Sequence, residues 1–371
     1  MNFDFSDDQK FLKAEARKFL DANCPTARVR GVLDAPDKAY DAALWKGVVA
    51  QGWLGAAIPE EHGGLGLGHL ELCVIAEELG RAVAPIPFAS TVYFLAEAVM
   101  LAGDDAQKAD ILPKIAAGEL IGAIATSEGP GALGPTTLKA SVAGGKLSGV
   151  KIPVTDGDIA DLCLVLAKEN GQPGLYLVDL TGAGVTREAV KTLDPTRDAA
   201  RLIFDAAPAQ RLGPTGEGFA LLEQINDRAA ILLSFEQCGG ADRCLEMAKA
   251  YALERYAFGR VIASYQAIKH KLADMYVKNE LARSNAYYGA WALNTNAPEL
   301  PVAASAARIA ASEAFWFASK ENIQTHGGIG FTWEADTQFH LRRARVLALS
   351  IGGPMAWKDK LVTRLEQKNA A

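Results

Sequence analysis

A multidomain α+β fold, with an N-terminal helical domain, a central small β-barrel or sandwich and a C-terminal four-helix bundle, is predicted by changes of pattern along the chain. Apolar residues first recur at helical spacing and then alternate with period two from about residue 121. They return to three-and-four spacing after Gly213-Pro214-Thr215-Gly216-Glu217-Gly218. The implied domains are residues 1–120, 121–215 and 216–371. A chain of 371 residues is expected to divide, because a single hydrophobic core stops growing at roughly 250–300 residues.

In the first part, Ser6-Asp7-Asp8-Gln9 reads as a capped helix start ahead of Phe11, Leu12, Ala16 and Phe19. Further helices are expected over about 41–51 and 70–83. Between them lies Pro59-Glu60-Glu61-His62-Gly63-Gly64-Leu65-Gly66-Leu67-Gly68, which lacks the Lys-Ser/Thr of a phosphate-binding loop and reads as a flexible turn. Strands are expected over 121–126, 139–142, 146–150, 162–166, 174–178 and 200–204, separated by Gly, Pro and Asp turns. From Arg228 a long helix carries Ile231, Leu232, Phe235, Leu245 and Met247. It breaks at Phe258-Gly259-Arg260 and resumes near Gln266, with Ile268, Leu272, Met275 and Val277 on one side. Amphipathic stretches over 284–293, over 302–323 and from 337 onward complete the bundle.

Composition narrows the function classes. Half the residues are hydrophobic and 22% are charged, as in a folded soluble protein. The net charge of −6 argues against a general nucleic-acid binder, although Arg342, Arg343 and Arg345 form a local basic cluster. The five cysteines are scattered and show no C-x-x-C pair, which fits a reducing, cytoplasmic setting. The acidic, amphipathic start is neither a secretory signal nor a presequence, and no apolar run reaches the roughly 18 residues of a membrane span. His326 and His340 have no partner at metal-ligand spacing, and no G-x-S-x-G elbow occurs, so neither a metal site nor a serine hydrolase is expected.

Arg255, Phe258, Gly259, Gln266 and Leu272-Ala273-Asp274-Met275 follow an R-x-x-F-G, Q, L-A-D-M order. Farther on, Gln324-Thr325-His326-Gly327-Gly328-Ile329-Gly330-Phe331 precedes Arg342-Arg343-Ala344-Arg345. Together these blocks resemble the acyl-CoA dehydrogenases, as does the P-E-x-x-G-G-x-G element from Pro59, and the resemblance spans essentially the whole chain. It implies FAD as cofactor and an acyl-CoA substrate, whose α-proton is taken by a carboxylate while the β-hydrogen leaves as hydride. It also implies an electron-transfer flavoprotein as acceptor and a homo- or hetero-oligomer, dimer or tetramer, joined through the C-terminal bundle.

Residue by residue, the resemblance assigns the diphosphate and adenine end of a flavin held by a neighbouring subunit to Arg255, Phe258, Gln324, Gly327 and Gly328, with Gln266 in the same signature. Alternatively, Arg255 pairs with Glu254 or Glu280 and the glycines form a helix cap. On the ring side Thr155, in Pro153-Val154-Thr155-Asp156-Gly157, matches the Thr of a W-I-T-N-G element whose Trp is replaced here by Pro153. Thr126 opens a match to T-E-x-x-x-G-S-D in which no Ser-Asp follows the glycine.

The family's catalytic Glu falls on Ile351 by one placement and on Ala229 by the other. Glu236 lies seven residues beyond Ala229, about 10 Å along the same helix face. It is the candidate base, with a structural acid held by an arginine such as Arg243, or a simply solvated one, as the alternative. Three functions stay open: an active dehydrogenase using Glu236, a catalytically silent subunit that completes another chain's flavin site, and a flavin monooxygenase of the same fold.

Overall fold

The computed structural model describes residues 5–35, 38–131 and 133–370; the first four residues of the acidic start lie outside them. Contacts divide the chain into two compact units, one of Met1–Val29, His69–Ala84 and Ala230–Ala371 and the other of Arg30–Gly68 and Pro85–Ala229. The N-terminal helices therefore serve both units, which a division by pattern along the sequence does not express.

In the first unit, helix α1 (Asp7–Asn23) starts as the sequence predicts. The Ser6 side chain accepts from the Gln9 amide, and the Gln9 side chain accepts from the Ser6 amide. Helix α2 (Thr26–Leu33) follows, and α4 (His69–Arg81) is buried from Leu72 to Gly80 because it packs backbone to backbone on α7 (Gly218–Glu254). A Cβ on Gly80 would stand 1.9 Å from the Glu236 carbonyl oxygen, and one on Gly239 would stand 1.8 Å from that of Glu77. Only glycine admits so close an approach. Ion pairs reinforce the contact: Arg17 grips Glu78 through two bonds of 2.8 and 2.9 Å, Lys13 reaches Glu77 at 2.8 Å, and Arg283 bridges Glu77 and Asp242.

Helices α8 (Gln266–Asn294), α9 (Leu300–His326), α10 (Thr337–Leu349) and α11 (Pro354–Ala370) complete this unit. The buried face of α9 is lined with Ala303, Ala304, Ala307, Ala311, Ala314 and Ala318, and these small side chains let α8, α10 and α11 all pack on it. Two sequence expectations change here. The 284–293 stretch is a continuation of α8, and the helix expected from 337 onward is interrupted after Leu349 by a short turn that includes Gly352 at φ +98°, before α11 begins at Pro354. On α8, Met275 is buried but Val277 is 54% exposed, and with exposed Tyr276 and Leu281 it forms an apolar patch that faces away from the unit's core. No helix among the described residues is long and apolar enough to cross a membrane.

The second unit holds α3 (Ala42–Ala50), a buried π-helical segment (Ala89–Ala96), α5 (Glu97–Ala102), α6 (Asp105–Ala116) and one eight-stranded mixed sheet. The strands are β1 (Gly122–Ala125), β2 (Ser141–Ala143), β3 (Lys146–Thr155), β4 (Leu162–Glu169), β5 (Gln172–Asp179), β6 (Val185–Val190), β7 (Ala199–Pro208) and β8 (Gln210–Leu212). Their order is β6-β7-β3-β2-β4-β5-β8, with β1 parallel to β4. The sequence reading misses β6, which is largely exposed and carries no continuous apolar run, and the short edge strand β8.

The glycine-rich segment after Pro59 is an ordered arch. Leu65, Gly66 and Leu67 donate their amides to the carbonyls of Gly55, Ile58 and Ala56 at 2.8–2.9 Å, and a Cβ on Gly64 would collide with the Ile58 carbonyl at 2.0 Å. The glycines serve close packing, contrary to the flexible turn expected.

Candidate active and cofactor site

Helix α7 ends at Glu254, and the chain turns through a two-residue hairpin in which Ala257 pairs with Arg260 and Tyr256 with Val261. Both turn residues have positive φ, +52° at Phe258 and +79° at Gly259, the signature of the turn whose twist matches a two-residue hairpin. Phe258 is thereby held 98% exposed. The Arg260 guanidinium lies 4.0 Å from the Tyr265 ring centroid, and α8 restarts at Gln266 as the sequence predicts.

The end of α9 meets the end of α7 through a stack: the Tyr251 and His326 rings lie 4.3 Å apart at 28°. One turn beyond Tyr251 stands Arg255, and immediately beyond His326 stand Gly327 and Gly328. The stack therefore brings Arg255, Gln324, Gly327 and Gly328 to one corner, with the hairpin beside it. Arg255 is exposed and, among the described residues, pairs with neither Glu254 nor Glu280, the partners weighed against its functional reading. Gly327 takes φ +64° and caps α9, its amide donating to the Gln324 carbonyl; it acts as a cap as well as a corner residue. Open space lies over both glycines. The stack itself carried no signal in the sequence beyond a histidine within the glycine block.

Thr126 and Thr155 belong to the other unit. The stretch after β1 runs alongside β3, with the Ile152 amide donating to the Ser127 carbonyl at 2.9 Å and Glu128 bridged to Ile152 in parallel. Thr126 and Thr155 lie on opposite sides of that bridge, so they are spread along a strand edge and not set side by side. The edge is fixed by Lys151, fully buried, whose Nζ donates to Glu128 Oε1 at 2.9 Å and to the Thr126 carbonyl at 3.2 Å. Burial alone would raise the Glu128 carboxyl. Hydrogen bonds from Lys151 and from the Ala140 and Lys139 amides outweigh it and hold that carboxyl low.

Beside Thr155 the site turns acidic. Asp156 is buried and accepts from Ser90 Oγ at 2.6 Å. The Asp198 carboxyl is pushed up to about 6 by burial and then by Asp158, Asp156 and Asp194.

Glu236 and Arg343 are both fully buried, with 1% and 0% of their side chains exposed, and Arg343 Nη1 donates to Glu236 Oε1 at 3.2 Å. Arg343 also approaches the Ala84 carbonyl at 3.5 Å. The next residue, Gln237, accepts from Arg308 Nη1 at 2.8 Å, and Arg308 reaches on to the Leu347 carbonyl. Burial pushes the Arg308 guanidinium down to about 9 against the pull of Glu236. The sequence expected either a base or an acid satisfied by an arginine such as Arg243. The structure supplies the arginine from α10 instead, and the Glu236 carboxylate is part of an enclosed polar pair and does not face a ligand cavity. A cavity of about 260 Å³ in this unit is lined by Cys24, Val83, Phe339 and His340 among others and does not include Glu236. Ile351 sits in the turn after α10, its carbonyl accepting from the Trp357 indole at 3.1 Å, and Ala229 is fully buried. Among the described residues no group of His, Cys, Asp or Glu could hold a metal ion, and the five cysteines are buried without forming a disulfide.

The family profile described as acyl-CoA dehydrogenase, N-terminal domain, matches residues 6–119, and that of the C-terminal domain matches 216–354. Over 367 residues the chain is 35% identical to the acyl-CoA dehydrogenase IpdE2 of Mycobacterium tuberculosis, covering 98% of this chain and 97% of that one. The chain belongs to the acyl-CoA dehydrogenase family. Among solved structures, a variant of the Tcur3481-Tcur3483 steroid ACAD is 31% identical with a TM-score of 0.88, covering 98% of this chain and 99% of that one. An acyl-CoA dehydrogenase of Bacillus anthracis complexed with FAD is 25% identical with a TM-score of 0.89, covering 99% of this chain and 68% of that one.

Acyl-CoA dehydrogenases are flavin-dependent oxidoreductases, and FAD is their cofactor. The two halves of this chain suit that cofactor unequally. At the corner, an uncommitted guanidinium suits a dianionic diphosphate, and the open space over Gly327 and Gly328 leaves room for the tail beside it. On the strand edge Thr155 is kept, but Pro153 is exposed and four aspartates gather nearby, a poor setting for a ring that takes on negative charge.

Proposed function

We propose that this chain is the subunit of an acyl-CoA α,β-dehydrogenase that grips the tail of the flavin, and that an unlike chain of the same fold supplies the catalytic carboxylate. The observation that carries this reading is the interior Glu236–Arg343 pair. A base must accept a proton from a substrate within hydrogen-bond reach, and a carboxylate committed to a buried guanidinium has no access to one. Ile351 and Ala229, at the two places where the family carries its glutamate, cannot accept a proton at all. The division into two unlike chains is also consistent with a relative whose name joins two components.

When bound, FAD supplies the acceptor for the β-hydrogen. Arg255 would neutralise the diphosphate, Phe258 would offer an aromatic face, Gln324 would add a polar side chain, and Gly327 and Gly328 would admit the tail closely. Gln266 borders the same corner at the start of α8. Thr126 and Thr155 would mark the ring edge of this chain's own, weaker half. The exposed apolar side of α8 around Tyr276, Val277 and Leu281 would serve the subunit contact. An electron-transfer flavoprotein is the acceptor this reading implies.

The test is spectroscopic. The chain purified alone should be colourless or weakly yellow, and the assembly with its partner should carry flavin that an acyl-CoA bleaches anaerobically. Glu236→Gln in that assembly should keep its bleaching rate while losing stability. A stable Glu236→Gln assembly that no longer bleaches would restore Glu236 as the base and end this reading.

A further inference from the structure

We infer that His326 is a cofactor-binding residue that accepts a hydrogen bond from the adenosine part of the flavin tail, leaving the diphosphate to Arg255. The inference rests on the tail-gripping reading above and adds a residue with a defined chemical preference.

The tautomer follows from geometry. His326 Nδ1 lies 2.8 Å from the Asn322 carbonyl oxygen, which can only accept, so Nδ1 carries the proton. In the neutral ring Nε2 is then an acceptor. The face-to-face stack on Tyr251 fixes the ring plane, and the half-buried ring has no other hydrogen-bond partner among the described residues. In that neutral tautomer the ligand atom that satisfies Nε2 is a donor, such as a ribose hydroxyl or an exocyclic amine, whereas a phosphate oxygen at Nε2 would require the doubly protonated ring.

The surroundings point the same way. His326 closes α9, and a helix C-terminus carries the negative end of its dipole with unsatisfied carbonyls, a setting that favours donors over anions. The Gly327 amide is given to the Gln324 carbonyl and so is not available to a phosphate. The cation able to meet the diphosphate is Arg255, one turn past Tyr251 and with no acidic partner of its own among the described residues. One corner thus offers a cation and an acceptor, matching a ligand that carries an anionic linkage next to hydroxyl and amine groups.

The experiment measures FAD affinity in the deflavinated assembly by fluorescence quenching, for the unmodified protein, His326→Phe, His326→Lys and Arg255→Ala, with the melting temperature of each. Phe keeps a ring on Tyr251 and removes Nε2; Lys removes the acceptor and adds a cation. Both should bind FAD roughly 3- to 10-fold more weakly, the effect of one net hydrogen bond. A Lys variant that binds as well as the unmodified protein or better would overturn the inference, because Nε2 would then be donating to phosphate. A Phe variant of unchanged affinity would overturn it too, leaving His326 a packing residue. If Arg255→Ala also leaves affinity unchanged, the corner holds no flavin and the parent reading fails; if only the His326 variants are silent, that reading survives.

Discussion

The middle and the end of α7 place their charges in opposite circumstances. At Glu236 the charge is enclosed and matched by Arg343, and the next residue, Gln237, accepts from Arg308, which reaches the end of α10. At Arg255, some five turns on by helical geometry, the charge stands in solvent with no acidic partner among the described residues. An enclosed pair is spent on the fold, whereas an open cation is available to a ligand. The largest expected effect tests that contrast. Arg343→Met strands a buried carboxylate and should destabilise the protein by about 3–5 kcal/mol, and adding Glu236→Leu should recover most of the loss. Arg255→Met should change stability by less than about 0.5 kcal/mol. Urea unfolding of the three variants checks this; a mild Arg343→Met would show that Glu236 does not depend on its arginine.

The same contrast explains what could be read from the sequence. The corner was legible because its causes are local. Helical periodicity stops before Phe258-Gly259, a glycine suits the positive φ that the turn requires, and Ser6 with Gln9 announces the first helix within four residues. The network around Glu236 was not legible because it is assembled from distant parts of the chain. Its partner Arg343 lies 107 residues away, and no rule of spacing chooses Arg343 over Arg243. Likewise periodicity groups Val277 with Met275 on one side of the helix, but it cannot tell a core from a face left open, and Val277 is exposed while Met275 is buried. The sheet was found where strands are apolar and missed at β6, whose alternation hides among polar residues.

A second pair sharpens the comparison from the other unit. Glu128 is also matched to a buried cation, Lys151, but its own carboxylate is partly exposed and a Gln in its place keeps an acceptor for Lys151 and the backbone amides, so that change should be milder than removal of the α10 arginine. Glu128→Gln should cost about 2 kcal/mol, the range for a hydrogen bond to a charged group. Its folded-state acidity is strengthened, so its contribution is whole above its unfolded value of roughly 4.3 and is lost as the pH falls through the lower folded value. Denaturant midpoints for the unmodified protein and Glu128→Gln should therefore converge on acidification below about pH 4. Midpoints that stay equally far apart there would remove the ion pair from the account.

At the corner the expected effect is smaller and of opposite sign. Phe258 occupies a left-handed conformation that disfavours a bulky side chain. Phe258→Asn would give the Asn-Gly pair that such hairpins prefer and should raise stability by about 0.5–1 kcal/mol. The same change should weaken flavin retention in the assembly, since the ring held out by that strain is lost. A variant both more stable and fully able to hold flavin would show that the strain at Phe258 serves no ligand.

The smallest effect concerns the acidic edge beside Thr155. Asp198 has a carboxyl pushed up to about 6, against roughly 3.9 for an unfolded chain, by burial first and then by Asp158, Asp156 and Asp194. The folded state thus holds its proton more tightly than the unfolded state does. The associated stability is fully present below the unfolded value and is lost as the pH rises through about 6. Asp198 is only half-buried, so solvent screening reduces the consequence to a modest slope. Asp198→Asn should flatten stability between about pH 4 and 6 without moving the acid limb set by Glu128. An unchanged slope would mean that the four aspartates are spaced widely enough to ionise independently, and the electrostatic objection to a flavin ring on this edge would lose its basis.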